Sequence, residues 1–362
     1  MTRITIRDIA EQAGVSAATV SYVLNNKPGV SDAQRLKIQS IMRQCNYIPT
    51  ARSVSTQRDS DKIRRVAVLS RDNLHPFDLV FAMELNDSIL NACREHGFDA
   101  VFTHAVVDEN KVLLPEIIRN RQVDGVLING DVGMNVLYKL HTTGLPIVEL
   151  DQAKQYDGQK FVTADYSSSA YVGTKHLIDL GHRDIVFITS DLLYDYSRLT
   201  FTGFQQATVK SNITLDMNRL QLNVAGTDSL LEMLEGFINS KNLPTAFFCA
   251  TDTYAVCLSQ ILGELGLRVP EDISIIAIDD TFVSKFANPP LTAVHIDRDL
   301  IARTGLELMS SLIEKKPSES IYVTSDDLMV RRSTAAPRIH HIDYSKVLSR
   351  LKIAKTHENF LE

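Results

Sequence analysis

Seven short apolar runs, each set apart from the next by a stretch of helical spacing, do most to limit how this chain can fold. They are Val66–Leu69, Ala100–Phe102, Gly125–Ile128 and Pro146–Leu150, and then Ile185–Thr189, Ala246–Cys249 and Ile273–Ile278. Runs this short and this rich in aliphatic residues fit strands covered on both faces. Strand alternating with helix gives a parallel sheet with helices on either side. Two such series predict two similar lobes, with a cleft outside the carboxyl ends of their strands. No strong short repeat accompanies the alternation, so the likeness between the lobes is expected in structure rather than in sequence. A chain of 362 residues that is 44% hydrophobic has the material for such a core.

Several functions are disfavoured at once. No run of about 18 apolar residues exists to span a membrane, and MTRITIRDIAEQ lacks the apolar stretch of a secretory signal, so a cytoplasmic protein is expected. Cys45, Cys93, Cys249 and Cys257 form no CxxC pair and have no clustered histidines, which argues for reduced thiols and against metal. Neither GxxxxGK[ST], GxGxxG after a strand, HExxH nor GxSxG occurs, so no catalytic residue and no cofactor are expected.

Charge is unevenly shared. The net charge of −6 divides into 11 Lys and Arg against 5 Asp and Glu through Arg65, and 27 against 39 beyond it. A small basic head on a large acidic body is the asymmetry expected when one end meets phosphates. That head opens with a short helix over Ile6–Gln12, with Ile6, Ile9, Ala10 and Ala13 on one face. Gly14 can turn the chain at positive φ. Ser16 is a candidate N-cap for a second helix, whose Val20, Val23 and Leu24 face the first. A third helix begins at Ser31, with Gln34 placed for a capping box, and carries Ile38, Ile41, Met42 and Cys45 inward. Helix, glycine turn, helix is the helix-turn-helix pattern, although an ordinary helical hairpin shares it. Small residues at the start of the second helix suit a backbone that sinks close to base edges. Ala17 and Ala18 can offer methyl contacts to thymine, while Thr19, Ser21 and Tyr22 can bond phosphates or bases.

The phrase TIRDIAEQAGVSAATVSYVLN, followed by NYIP, resembles the DNA-binding head of the lactose/galactose-repressor (LacI-type) family of bacterial transcription regulators. TDTYAVCLSQILGELGLRVPEDISIIAIDD, PPLTAV, HLIDLGHRDIVFI and SDDLMVRRST resemble the family's body, whose fold is that of periplasmic sugar-binding proteins, so the likeness runs from about Thr5 to Thr334. It implies a head over residues 1–48, a hinge or linker over 49–63, a two-lobed effector-binding and dimerisation body over 64–336, and a tail over 337–362. The function it implies is sequence-specific regulation, in the usual case repression of carbohydrate or related metabolic genes, by a homodimer on double-stranded operator DNA. Carried over residue by residue, the DNA-facing set is Thr5, Ser16, Ala17, Ala18, Thr19, Ser21, Tyr22, Asn25, Tyr47 and Val54. Two features depart from the family. Tyr22 stands where arginine is common and cannot make a bidentate guanine contact. YIPTARSVST brings its Ala-Arg pair two residues early, leaving Val54 as the candidate minor-groove wedge.

In the body, Asp151, Thr251, Asp252, Asp279 and Asp280 follow predicted strands, where carboxylates either cap the next helix or bind ligand hydroxyls. The resemblance makes Asp151 and Asp279 effector contacts and places Thr251 where the family often has asparagine. Asp252 joins them, and Phe77 either stacks on an effector ring or fills the core. The family's Arg-x-x-Gly-aromatic signature reads TFTGF here, with Thr200 at the arginine position and Arg198 two residues before it. A small, neutral, hydroxyl-rich effector (a sugar or nucleoside) is expected, with control by a protein partner as the alternative and an α/β enzyme as a remote one. His182 in GHRD reads as structural, and the tail as a frayed or lightly packed end.

Overall fold

The computed structural model describes residues 5–24, 29–44, 64–70, 77–108, 111–153, 156, 158–324 and 327–356. Asn25, Cys45, Tyr47, Val54 and the whole 49–63 segment lie outside them. The chain divides into two compact units, residues 1–62 and 63–362, which are taken separately.

The first unit holds α1 (Ile6–Ala13), α2 (Ala17–Leu24) and α3 (Asp32–Gln44). The Thr5 hydroxyl accepts from the Asp8 N–H at 3.4 Å and the Thr5 N–H donates to the Asp8 carboxylate at 2.6 Å, a reciprocal cap the sequence reading did not anticipate. Gly14 ends α1 at φ 69°, the left-handed conformation expected of it, and its N–H closes onto Ala10 and Glu11. Ser16 caps α2 by accepting from the Thr19 N–H at 3.1 Å. At α3 the Gln34 N–H donates to the Ser31 hydroxyl, while the Ser31 hydroxyl turns to the Gln34 amide oxygen. Ile9, Ala10, Ala13, Val20, Val23 and Ile38 close a core of their own, with Ile6, Val15, Ile41 and Met42 around it.

The second unit begins with β1 (Arg64–Ser70), α4 (Leu79–Glu95) and β2 (Phe98–His104). A small hairpin of β3 (Val106–Asp108) and β4 (Lys111–Leu113) follows, and then α5 (Glu116–Arg119), β5 (Gly125–Asn129), α6 (Met134–His141), β6 (Ile147–Leu150) and β7 (Phe161–Ala164). The next part comprises α7 (Tyr166–Asp179), β8 (Ile185–Ile188), α8 (Asp195–Lys210), β9 (Leu220–Gln221), α9 (Thr227–Asn239) and β10 (Ala246–Cys249). It continues with α10 (Asp252–Glu264), β11 (Ser274–Asp279), α11 (Phe282–Phe286) and β12 (Thr292–His295), and closes with α12 (Arg298–Ile313), β13 (Ile321–Val323), β14 (Leu328–Met329) and α13 (Tyr344–Thr356).

The strands form two six-stranded sheets, β2-β1-β5-β6-β7-β13 and β9-β8-β10-β11-β12-β14. The order is the same in both, which realises the expected pair of similar lobes, and each of the seven apolar runs supplies one strand. Pairing is parallel except where β14 runs antiparallel to β12. The chain crosses between lobes three times. It leaves β7 for α7, which packs on the second sheet; it leaves β12 for α12, which packs on α4 and the first sheet; and it passes from β13 to β14. One apolar cluster accordingly unites Val66, Leu85 and Val148 with Phe187, Phe248 and Ile276. Cys93 and Cys249 are buried free thiols, and among the described residues no helix is long and apolar enough to cross a membrane.

The tail departs from expectation. Val347 and Leu351 of α13 are buried in the core of the second lobe. The Tyr344 hydroxyl accepts from the Leu243 N–H at 3.1 Å, and Arg338 donates to the carbonyls of Leu243, Pro244 and Asp272. The tail alone offers only two apolar turns; the groove beside α9 that receives them is invisible from its own sequence. Leu351→Ala should therefore cost about 2–4 kcal/mol, seen as a lower urea midpoint at unchanged slope. A frayed tail would lose less than about 0.5 kcal/mol.

Candidate functional site

In the head, one face of α2 is fixed by packing and the other is bare. Val20 and Val23 point into the core, while Ser16, Ala17 and Ala18 are exposed and Tyr22 is 46% exposed. Ala18 and Tyr22, four residues apart, share one face of the helix, and Ala17 adjoins them on its exposed side, so the two methyl groups and the phenol form one blunt strip. Thr19 and Ser21 flank it, half-buried, and the Ser16 and Thr19 hydroxyls bond each other at 2.9 Å. Thr5 sits at the start of α1, where its N–H and hydroxyl both hold the Asp8 carboxyl below the ordinary carboxylate range.

In the body, the carboxyl ends of both sheets carry the residues singled out from the sequence. Asp151 ends β6 at φ 60° with its N–H bonded to Val162, and Asp279 ends β11 at φ 99°. These are equivalent strands of the two lobes. Asp151 accepts from the Tyr166 hydroxyl at 2.6 Å. Burial pushes its carboxyl up to about 7, against that hydrogen bond, with Asp78 adding to the rise and Arg298 opposing it. Burial likewise holds Asp279 well above the carboxylate range, reinforced by Asp252, opposed by Arg298, and raised further by Asp151 and Asp78. Asp151, Asp252 and Asp279 thus all feel one buried guanidinium, that of Arg298. Arg298 directs that guanidinium to the carbonyls of Asp279 and Asp280 and to Glu84 at 3.0 Å.

The remaining candidates separate by role. Asp252 accepts from the Thr281 N–H and hydroxyl, both at 2.7 Å, and from the Ser284 hydroxyl, so its carboxylate holds the entry to α11. Thr251 precedes α10 without capping it, and its buried hydroxyl has no hydrogen-bond partner. The Thr200 hydroxyl is also buried and partnerless, inside α8. Arg198 turns to Asp195 with its side chain half exposed. Phe77 is buried in the second lobe's core, its ring 4.4 Å from that of Tyr254, which matches the core-filling alternative in this conformation. Asp280 pairs with Arg331 at 2.5 Å and with His295 at 3.3 Å. His182 is structural as expected, bridging Thr245 and the Ala335 carbonyl.

Four cleft residues escaped the sequence reading. Asp78 accepts from the Tyr196 hydroxyl across the lobes at 3.1 Å, Tyr196 also meets Ser190 at 2.6 Å, and Tyr166 and Arg298 open the two crossover helices α7 and α12. No local signal marked them, since the strands β7 and β12 that lead into α7 and α12 were not among the apolar runs.

The Asp151 shift has a stability consequence. Below about pH 4 the carboxyl is protonated in both the folded and the unfolded chain. As pH rises toward 7 the unfolded chain releases a proton that the folded one keeps, so this contribution is lost as pH climbs through 7. Asn also tolerates positive φ, so Asp151→Asn should flatten the fall in stability between about pH 5 and pH 7, read as urea midpoints at both values. Parallel pH profiles for the two proteins would contradict the buried, protonated carboxyl.

Comparison with known proteins agrees with this architecture. Residues 5–50 match the model of bacterial regulatory proteins of the lacI family, and residues 174–334 match a periplasmic binding protein-like domain. An HTH-type transcriptional repressor PurR of Aliivibrio salmonicida (strain LFI1238) is 29% identical over 334 residues, covering 91% of this chain and 98% of the relative. The PurR of Histophilus somni (strain 129Pt) is 27% identical over 333 residues with the same coverage. The Lac repressor dimer bound to operator and the anti-inducer ONPF superposes with a TM-score of 0.71 at 25% identity, over 92% of this chain and all of that one. These relatives are repressors rather than enzymes. The helix-turn-helix head thus matches the lacI family of bacterial regulatory proteins, and the paired parallel lobes match a periplasmic binding protein-like domain and the body of these repressors.

Proposed function

We propose that the protein is a cytoplasmic transcriptional repressor that binds operator DNA as a homodimer and is controlled by a small hydroxyl-bearing effector held between the lobes of its body. The exposed Ala17–Ala18–Tyr22 strip carries the reading: a helix face stripped of bulk and charge, on a compact basic head, fits the floor of a major groove. Ser16, Thr19, Ser21, Thr5, Asn25 and Tyr47 supply the surrounding polar contacts, and Val54 the minor-groove wedge. Effector binding would act by changing the balance between arrangements of the two lobes, which the Tyr196–Asp78 and Arg298–Glu84 contacts now hold together.

A second copy of the chain has a surface to meet. Leu79 and Met83 of α4 and Phe282 and Phe286 of α11 are all exposed, Phe286 by 84%, and the Phe282 N–H donates to Glu84 at 2.7 Å, tying the two elements together. An apolar patch built from both lobes suits a symmetric dimer whose stability depends on their relation.

Selection from a random duplex pool tests the function. A near-palindromic site is expected, since one recognition helix reads only a few base pairs and symmetry doubles the readout; an unrelated or asymmetric half-site would overturn the homodimer reading. Tyr22→Arg should then change the base chosen at one position of each half-site, because a guanidinium can grip guanine and a phenol cannot. An unchanged selected site would show that Tyr22 faces away from the bases.

A further inference from the structure

We infer that the effector carries a protonated amine beside its hydroxyls, an inference that rests on the interlobe cleft being the effector site. The carrying observation is the Asp279 side chain. The residue is only 4% exposed, yet its carboxylate forms no hydrogen bond or ion pair with the described residues. A buried, unpaired carboxylate is costly, and a charge buried in a protein normally has a partner.

The described groups around it do not fill that role. The Tyr166 hydroxyl is engaged by Asp151, and the Tyr196 hydroxyl by Asp78 and Ser190. Thr281 and Ser284 serve Asp252. Arg298 reaches the Asp279 main-chain carbonyl rather than its carboxylate, and Glu84 balances its charge. Asp78, Asp151 and Asp279 therefore share a cleft in which Arg298 is already matched by Glu84.

A second observation points to a ligand with further polar groups. The register of β8, β10 and β11 pairs Cys249 with Ile188 and with Ala277. Continued past the strand ends, it puts Thr251 at the level of Asp279, and Thr189 one residue short of that level, beside Ile278. Both threonine hydroxyls are buried without a hydrogen-bond partner. A hydroxyl-only ligand could satisfy Thr251 but would leave Asp279 in the uncharged form that its burial favours, whereas a cation beside it would let the carboxyl ionise and bind as a charge. An ammonium group has three donors and no acceptor, so it matches Asp279, while an adjacent hydroxyl reaches Thr251. The expectation of a neutral ligand is thereby revised.

Calorimetric titration of the full chain tests this with glucosamine, galactosamine and mannosamine, each against its neutral parent sugar and its N-acetyl form. At least one amine should bind about tenfold or more tightly than both counterparts, as expected for a charge-assisted bond. That preference should disappear in Asp279→Asn, which keeps the size and a hydrogen-bonding group. If parent and amine bind alike, or no amine binds to a preparation that still binds DNA, the charged-effector inference is overturned. The cleft reading survives the first case if Asp279→Asn and Thr251→Val both weaken the sugar. It fails with the inference if neither substitution alters the binding of whichever sugar does bind.

Discussion

Ala17→Asp should abolish operator binding, by at least about a hundredfold, while leaving the head folded. Ala17 is the first residue of α2 and its side chain is exposed. A carboxylate in the first turn of a helix is favoured by the helix dipole, so the substitution should not loosen α2 and can slightly stabilise it. The same charge placed against base edges and phosphates is repelled and loses its hydration without gaining a donor. Fluorescence anisotropy on the selected duplex would read the affinity, and thermal unfolding the integrity of the head. A variant that binds within a few-fold of the wild type would mean α2 does not enter the groove through this end.

Gly203→Ala should be the most damaging small substitution in the body. α8 crosses α7 so closely at Gly203 that a Cβ there would stand 2.0 Å from the Ser167 carbonyl oxygen and 2.9 Å from the Ala170 Cβ. The first obstacle is backbone, which no rotamer change relieves, so the two helices must part and open the packing of Phe204 on Phe187 and Phe248. A cost of about 3 kcal/mol or more is expected, visible in the urea midpoint. A loss below about 1 kcal/mol would show that α7 and α8 can slide apart cheaply. This contact also accounts for the glycine in TFTGF independently of any ligand, since Thr200 and Gly203 lie one turn apart on the buried side of α8.

What the sequence disclosed and withheld follows from where the physical information resides. The central strands β1, β5, β6, β8, β10 and β11 were legible because burial on both faces demands unbroken apolar runs, and those runs are local. Edge strands β3, β4, β9, β13 and β14 span two or three residues, too few for any periodicity, while β7 (FVTA) and β12 (TAVH) are as long as β6 but have a threonine or histidine breaking the apolar run. The head was legible almost to the residue, since Gly14, Ser16 and Ser31 act on their own immediate neighbours. In the cleft, Asp151 and Asp279 were found because they terminate strong strands. Asp78, Tyr166, Tyr196 and Arg298 were not, because their partners lie in the other lobe or beyond a crossover. Whether an acid at a strand end caps a helix or meets a ligand was likewise undecidable locally: Asp252 is claimed by Thr281 and Ser284, nearly thirty residues onward, and Asp279 by no described side chain.

The measurement that bears most directly on the account is the salt dependence of binding to the selected palindromic duplex. Basic side chains of two heads neutralising several phosphates each should release counterions, so log affinity should fall linearly with log salt. For six to ten contacts the loss is about 10³- to 10⁵-fold between roughly 50 and 200 mM salt. A steep slope, with Ala17→Asp unable to bind at either concentration, is the predicted result. Affinity indifferent to salt, or retained by Ala17→Asp, would contradict a DNA-reading head.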